Sequence, residues 1–271
     1  VIRLLAIGDV IGRPGRNALR AVMPKIQQDY NPEIIILNGE NAAGGFGLTE
    51  KIYDELTKDF PIDCITMGNH WHDKKEIFTF AARAPKLVLP GNMGNVREEN
   101  DGMKVFTSKN GHRFAVVNLI GRVFMVEGNR NPFETALRLL EKVPTGIKLR
   151  FVDVHAEASS EKQGLGYFLA GKVSALYGTH SHVPTADDRV LEGYTGFITD
   201  LGMTGAYDSI IGMRKELALK RFLTGVKEKL EPAKDDPWFC AVVFDLDEES
   251  GKCLRIEPLR WRLNQMGLST R

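Results

Sequence analysis

The chain is short of cysteine, and the three it has follow none of the spacings that make cysteine structural. Cys64, Cys240 and Cys253 are an odd number without a C-x-x-C pair, which excludes a disulfide framework and a thiolate zinc knuckle and fits a reducing, cytoplasmic setting. Long hydrophobic runs are missing as well. The apolar start from Val1 to Ile7 meets Gly8 and Asp9 at once, too soon for a signal peptide, and no later segment approaches the roughly 20 apolar residues of a membrane span. Nor does one sign of charge dominate. Thirty-six basic against 35 acidic residues leave a formal charge of +1, so a broad basic face for long nucleic acids is not expected, and partners should be small and recognised locally. There is no repeat, low-complexity tract or linker; the proline- and charge-rich stretch from Lys227 to Pro237 reads as a loop internal to one domain spanning residues 1–271. A homo-oligomer is compatible with all of this.

What is present is an alternation of short β-branched runs with longer amphipathic stretches, the pattern of βα units feeding a largely parallel sheet. Ile2 to Ile7 predicts a buried strand, followed by a Gly12/Pro14/Gly15 loop and a helix from about Arg16 to Tyr30. Ile34 to Leu37 predicts a second strand, followed by a glycine-rich loop and a helix that Thr49 can cap. Cys64 to Met67 predicts a third, with a helix beginning near Lys74. Further on, Asn110-Gly111 between Met103–Lys109 and Arg113–Leu119 signals a two-residue hairpin. A helix from Pro132 and strands at Ile147–Val154, Val173–Tyr177 and Gly196–Thr199 follow, then a helix around Lys215–Val226 and a strand pair, Phe239–Asp245 with Cys253–Trp261.

The informative residues come after the strands. Gly8-Asp9, Asn38-Gly39-Glu40-Asn41, Gly68-Asn69-His70, His155 and Gly178-Thr179-His180-Ser181-His182 each follow an apolar run, and open α/β sheets bind ligands beyond the carboxyl ends of their strands. Four of the six histidines are in this set. Asp, Glu, Asn and His without sulfur suit hard or borderline divalent ions such as Mn, Fe or Zn. The donors exceed the needs of one ion, whereas two ions about 3.5 to 4 Å apart can stabilise both the attacking and the leaving oxygen of a phosphoryl displacement. Taken singly, Asp9 could be a helix cap, His155 a satisfied core imidazole, and Asn41 or Asn69 a turn residue. Their coincidence is what points to a site. By contrast, His112 reads as a solvated turn residue, Gly44, Gly45 and Gly47 as a turn or flexible rim, and Trp238-Phe239 as core or interface.

These motifs, in this order, resemble the calcineurin-like metallophosphoesterase superfamily. The runs Asn-Gly-Glu-Asn-Ala-Ala at 38–43, Asp-Lys-Lys-Glu-Ile-Phe at 73–78 and Thr-Asp-Leu-Gly-Met-Thr-Gly-Ala-Tyr-Asp at 199–208 narrow the resemblance to its YmdB-like branch. It implies a four-layer α/β/β/α sandwich, a dinuclear metal centre with two divalent ions, Fe or Mn before Zn, and phosphodiesterase activity on 2′,3′-cyclic or 3′,5′-cyclic nucleotides. On this resemblance Asp9, Glu40 and His182 are ligands of one ion, Glu40, Asn69, His155 and His180 of the other, and Glu40 the bridge. Asn41 then contacts the substrate or a metal-bound water, and His70 assists at the phosphate. Ile11 stands where the wider superfamily has a histidine, and the bridging residue is Glu rather than Asp, both as in the YmdB-like branch. His72 follows Trp71 where the branch has its tryptophan one place later, which adds an imidazole to the rim or leaves it on the surface. The alternative from another class is a regulatory protein that binds a nucleotide or partner and turns over little. Because no Lys or Arg lies within the Asn-Gly-Glu-Asn, Gly-Asn-His or Gly-Thr-His-Ser-His stretches, a diester monoanion is better matched than a monoester dianion.

Overall fold

The computed structural model describes residues 1–93, 102–125 and 129–270. Its strands, in chain order, are β1 (Ile2–Ile7), β2 (Asp9–Val10), β3 (Ile34–Asn38), β4 (Cys64–Thr66), β5 (Leu87–Val88), β6 (Met103–Thr107), β7 (Arg113–Ile120), β8 (Leu149–His155), β9 (Ala175–Thr179), β10 (Arg189–Leu191), β11 (Thr195–Ile198), β12 (Met203–Ala206), β13 (Pro237–Leu246) and β14 (Cys253–Arg262). The helices are α1 (Gly12–Asp29), α2 (Glu50–Lys58), α3 (Ile77–Phe80), α4 (Pro132–Glu141), α5 (Ser159–Leu169) and α6 (Lys215–Thr224).

The period-2 alternation of β1 sets the layering. Leu5 and Ile7 join a core with Ala18, Leu19, Val22 and Ile26 of α1 and Leu56 of α2, while Ile2, Leu4 and Ala6 face the other way, toward Phe114, Phe151 and Tyr177 of a second sheet. The outer face of that sheet, Val117, Val152, Val154 and Leu176, packs on Ala136, Leu139 and Leu165 of α4 and α5. The result is the four-layer α/β/β/α sandwich. One sheet runs β2-β12-β13-β1-β3-β4-β5, with β14 on the other edge of β13; the second runs β10-β11-β9-β8-β7-β6. β1, β3, β4 and β5 are parallel to one another, as are β7, β8, β9 and β11. Their carboxyl ends carry the polar motifs to one rim of the sandwich.

Three local expectations are corrected. The Gly12/Pro14/Gly15 stretch is the first turn of α1 rather than a loop, because proline is tolerated where no intrahelical N–H partner is needed. The helix expected near Lys74 is only the short α3, continued by a 3₁₀ turn at Ala81–Arg83. The hairpin loop has three residues, not two. Gly111 N donates to Ser108 O at 3.0 Å and Ser108 N to His112 O at 2.9 Å, and in this loop only Gly111 takes a positive φ, +93°, as in a type I turn followed by a bulge. The extra residue lets the Asn110 amide donate to Glu33 Oε2 at 2.7 Å and brings His112 Nδ1 to 2.6 Å from Glu33 Oε1. His112 Nε2 lies 2.9 Å from Glu248 Oε1. His112 is therefore a tie between three loops, not an idle surface residue. Thr49 caps α2 as expected, its hydroxyl accepting from Ile52 N. Trp238 stacks on Tyr207 at 4.5 Å between ring centroids, and Phe239 is core. Among the described residues no helix is long and apolar enough to cross a membrane.

Candidate metal centre

At the shared rim the strand ends assemble two groups of donors. Glu40, His155 and His180 form one and Asp9, Glu40 and His182 the other, the donor atoms of each lying within 4.8 Å of one another. Glu40 belongs to both. His155 Nε2 lies 3.0 Å from Glu40 Oε1, 3.0 Å from Asn69 Oδ1 and 3.0 Å from His180 Nδ1. A proton on Nε2 can satisfy one of these three acceptors, whereas a cation among the four atoms satisfies all. His182 Nε2 and Asp9 Oδ1 are 3.9 Å apart, and Asp9 Oδ1 is buried without any hydrogen-bond partner. An orphaned carboxylate oxygen is costly unless something cationic meets it. Gly68 closes the floor: a Cβ there would sit 2.1 Å from Glu40 Oε2 and 2.2 Å from His155 Nε2, so only glycine leaves that space free. Donor chemistry, orphaned oxygen and glycine floor together fit divalent ions.

Tautomers are set from outside the groups. The Thr179 hydroxyl donates to Asp153 Oδ1 at 2.7 Å, so its oxygen accepts at 2.9 Å from His155 Nδ1–H, and Nε2 is the nitrogen turned to Glu40, a lone pair for a cation once its proton is given up. Asp153 Oδ2 accepts from Thr66 Oγ1 at 2.5 Å and Asn38 Nδ2 at 3.0 Å, and Asn38 Oδ1 accepts from Glu40 N at 3.1 Å. His182 Nδ1 donates to Ile211 O at 2.8 Å, turning Nε2 inward. His180 offers Nδ1 while its Nε2 meets Glu157 Oε2 at 2.9 Å. Both histidines of the His-x-His pair adopt left-handed backbone, φ +97° and +65°. Such strain persists only where the surroundings hold it. Here the buried Asp200 does so, accepting from Ser181 N at 3.1 Å, Gly202 N at 2.8 Å and Lys162 Nζ at 2.6 Å.

The charge states follow from burial and neighbours. Burial pushes the Asp9 carboxyl up to about 6, against the pull of His182 and His155. Burial acts the same way on Glu40, but the charge and hydrogen bond of His155, with His70 and His180 beyond, more than offset it and hold Glu40 at about 2. Burial and the neighbouring His155 lower His180 to about 3, leaving it neutral, as a ligand must be.

The remaining sequence candidates lie around this centre. His70 N donates to Glu40 Oε2 at 3.1 Å, and its ring stands at the rim, Nδ1 2.9 Å from Asp73 Oδ2 and edge-on to Phe46 at 5.0 Å. Asn41 is buried; its Nδ2 donates to Gly45 O at 2.9 Å and ties down the glycine loop, while its Oδ1 has no partner. That loop holds positive φ at Gly44, Gly45 and Gly47. His72 is exposed beside Trp71 and belongs to the surface. Arg16, one of the few cations near a strand-end loop, is spent on Glu55 at 3.0 Å and on Ala42 O. Sequence reading missed Asp153 and Lys162, and gave no role to Asp73 and Asp200, which lie within the runs at 73–78 and 199–208. Asp153 and Lys162 could have been flagged as charges inside apolar patterns; nothing local marked their partners.

A family model described as "YmdB-like protein" matches residues 5–259. The chain belongs to the YmdB-like family. This YmdB-like chain is 44% identical over 259 residues to the 2′,3′-cyclic-nucleotide 2′-phosphodiesterase of Bacillus subtilis, covering 95% of its own length and 96% of that protein. Among solved structures, a hypothetical protein of Thermus thermophilus matches with a TM-score of 0.87 at 37% identity, covering 96% of this chain and 99% of that one. A structure described as a novel phosphatase of Mycoplasma pneumoniae matches at 0.88 and 31% identity, covering 96% and 93%.

Proposed function

We propose that this YmdB-like protein is a metal-dependent phosphodiesterase acting on small cyclic phosphodiesters, 2′,3′-cyclic nucleotides first and 3′,5′-cyclic nucleotides second, with two divalent ions of the Mn or Fe type. The observation that carries the reading is the pair of donor groups joined by Glu40. Asp9, Glu40 and His182 would hold one ion, and Glu40, Asn69, His155 and His180 the other. Ions held there supply Lewis acidity and offset the charge on the phosphoryl oxygens. The chain's own residues do the rest. Glu40, held ionised at about 2, keeps both groups anionic across the neutral range. Asp73 accepts from His70 Nδ1–H, so it is the imidazolium form of His70 that carries a second proton on Nε2 at the rim and can hand it to the leaving oxygen as the P–O bond breaks, leaving a neutral ring. Phe46 beside it offers an apolar edge to a nucleoside. Two of the cations near the strand-end loops are already committed, Lys162 to Asp200 and Arg16 to Glu55, which favours a diester monoanion over a monoester dianion. The name of the B. subtilis relative points to the same substrate class.

Elemental analysis of the Mn- or Fe-reconstituted protein, beside turnover of matched diesters and monoesters, tests this. Two ions per chain and higher kcat/KM for the diesters are expected, with Glu40→Ala lowering occupancy of both sites and Asp9→Asn abolishing the diesterase activity. A single ion at saturation, or a consistent preference for monoesters, rejects the reading.

A further inference from the structure

Where β7 ends, the chain turns at the rim that carries the donor groups: Gly121 N donates to His155 O at 3.0 Å. Glu161, buried in the first turn of α5, fixes this turn, its carboxylate accepting from Arg122 N at 3.0 Å and from Val123 N at 3.1 Å. Gly121 permits that approach, since a Cβ there would lie 2.5 Å from Glu161 Oε2 and 2.5 Å from Ala156 Cβ. Asn129 Nδ2 donates to Gly121 O at 3.0 Å, and Met125 N to Arg122 O at 3.3 Å. Phe124 is the third residue of the turn that this last bond closes, and it takes φ +61°. A left-handed residue in that position is ordinarily Gly or Asn.

The fold gains little from this side chain. Its backbone conformation strains a bulky residue, and its ring, 87% exposed, buries too little apolar surface to offset that. Glycine or asparagine would serve the turn better. A phenylalanine kept there, on a backbone held by a buried carboxylate, has its use outside the fold. Position and charge identify that use. The turn is one hydrogen bond from His155, so a ligand whose phosphorus lies at the donor groups has its organic part close by. Arg122, two residues before Phe124, is exposed and has no ion-pair partner among the described residues. An open aromatic face beside an unpaired guanidinium matches a nucleotide, a flat base joined to an anion. Phe46, on the His70 side, is half buried against Ile11, Met203 and Met213 and has less of its ring to give. Resting on the phosphodiesterase reading above, we infer that Phe124 is the platform on which the nucleobase stacks and that Arg122 answers the charge of the diester.

Steady-state kinetics of the Mn-loaded full chain on two cyclic diesters tests the inference. One is 2′,3′-cyclic AMP; the other is glycerol 1,2-cyclic phosphate, which has the same kind of cyclic diester and no base. Phe124→Asn, compatible with the left-handed turn, should lower the kcat/KM ratio of the first to the second about tenfold, through KM. Phe124→Tyr should keep the ratio within about twofold, because it keeps the aromatic face. The melting temperature of Phe124→Asn should be no lower than that of the wild type, since strain is relieved and no core is lost. Arg122→Gln should raise KM for both diesters about tenfold. An unchanged ratio in Phe124→Asn overturns the platform, as does a lowered melting temperature with equal loss on both substrates, which would make Phe124 part of the fold. A KM indifferent to Arg122→Gln overturns the part given to Arg122. A wild type that turns over neither diester rejects the phosphodiesterase reading itself, and the platform with it.

Discussion

A carboxylate in the middle of a buried strand is costly unless its lone pairs are used, and Asp153 uses them on three other strands. Thr66, Thr179 and Asn38 all donate to it; burial still pushes its pKa up. Through Thr179 it sets the His155 tautomer, and through Asn38 it holds the backbone of Glu40. Removing such an outer hydrogen bond typically costs 10- to 100-fold in metal affinity. Thr179→Val is therefore expected to weaken Mn binding by about that factor in calorimetry, and Thr179→Ser to restore it, an outcome that a purely steric role for Thr179 would not produce. The rim residues separate differently. His70→Ala should lower turnover by about 100- to 10,000-fold with metal content nearly intact, whereas His180→Ala should lose metal; equal metal loss in both would place His70 among the ligands. In the sequence the six donors could be read because each follows an apolar run. Asp153 could not be placed, since its partners stand 87, 26 and 115 residues away and no local pattern says which strands will face one another.

At the scale of elements, what was legible was whatever a local period or cap determines. The strands feeding the site emerged within a residue or two, and Thr49 caps α2 as its position suggests. Misreadings occurred where tertiary contacts chose between local options. Asn110-Gly111 can make either a two- or a three-residue loop; the longer one is selected because it delivers Asn110 and His112 to Glu33. That cluster has a pH signature. Hydrogen bonds from its ring N–H groups to Glu33 and Glu248 raise His112 above 6.5. For Glu33, burial raises the pKa, but Ser108, His112 and Asn110 together bring it below 4.5. The stabilisation from His112 is fully present below pH 6.5 and is lost as pH rises through its raised pKa; that from Glu33 is present above pH 4.5 and is lost as pH falls through its lowered one. Thermal melts from about pH 5 to 9 should show wild-type stability declining on the alkaline side and His112→Gln lower by about 1 kcal/mol near pH 6 but flatter above it. Parallel curves for the two proteins would exclude the coupling.

Across the whole molecule, the donors are divided between the halves of the sandwich. Asp9, Glu40 and Asn69 follow strands of the first sheet, whereas His155, His180 and His182 end or follow strands of the second. The proposed ions would therefore act as rivets across a seam, and sliding the halves past each other by one residue would break every bond they make. Removing the metal with a chelator should speed amide hydrogen exchange at the ends of β3, β8 and β9 while leaving α4 and the outer face of β7 unchanged. If exchange rises equally everywhere, the ions stabilise the fold as a whole and do not fasten the seam. Where the seam alone loosens, the resistance of the two halves to shear resides in the same six side chains that would hold the ions, so metal starvation would leave the proposed enzyme both idle and mechanically slack.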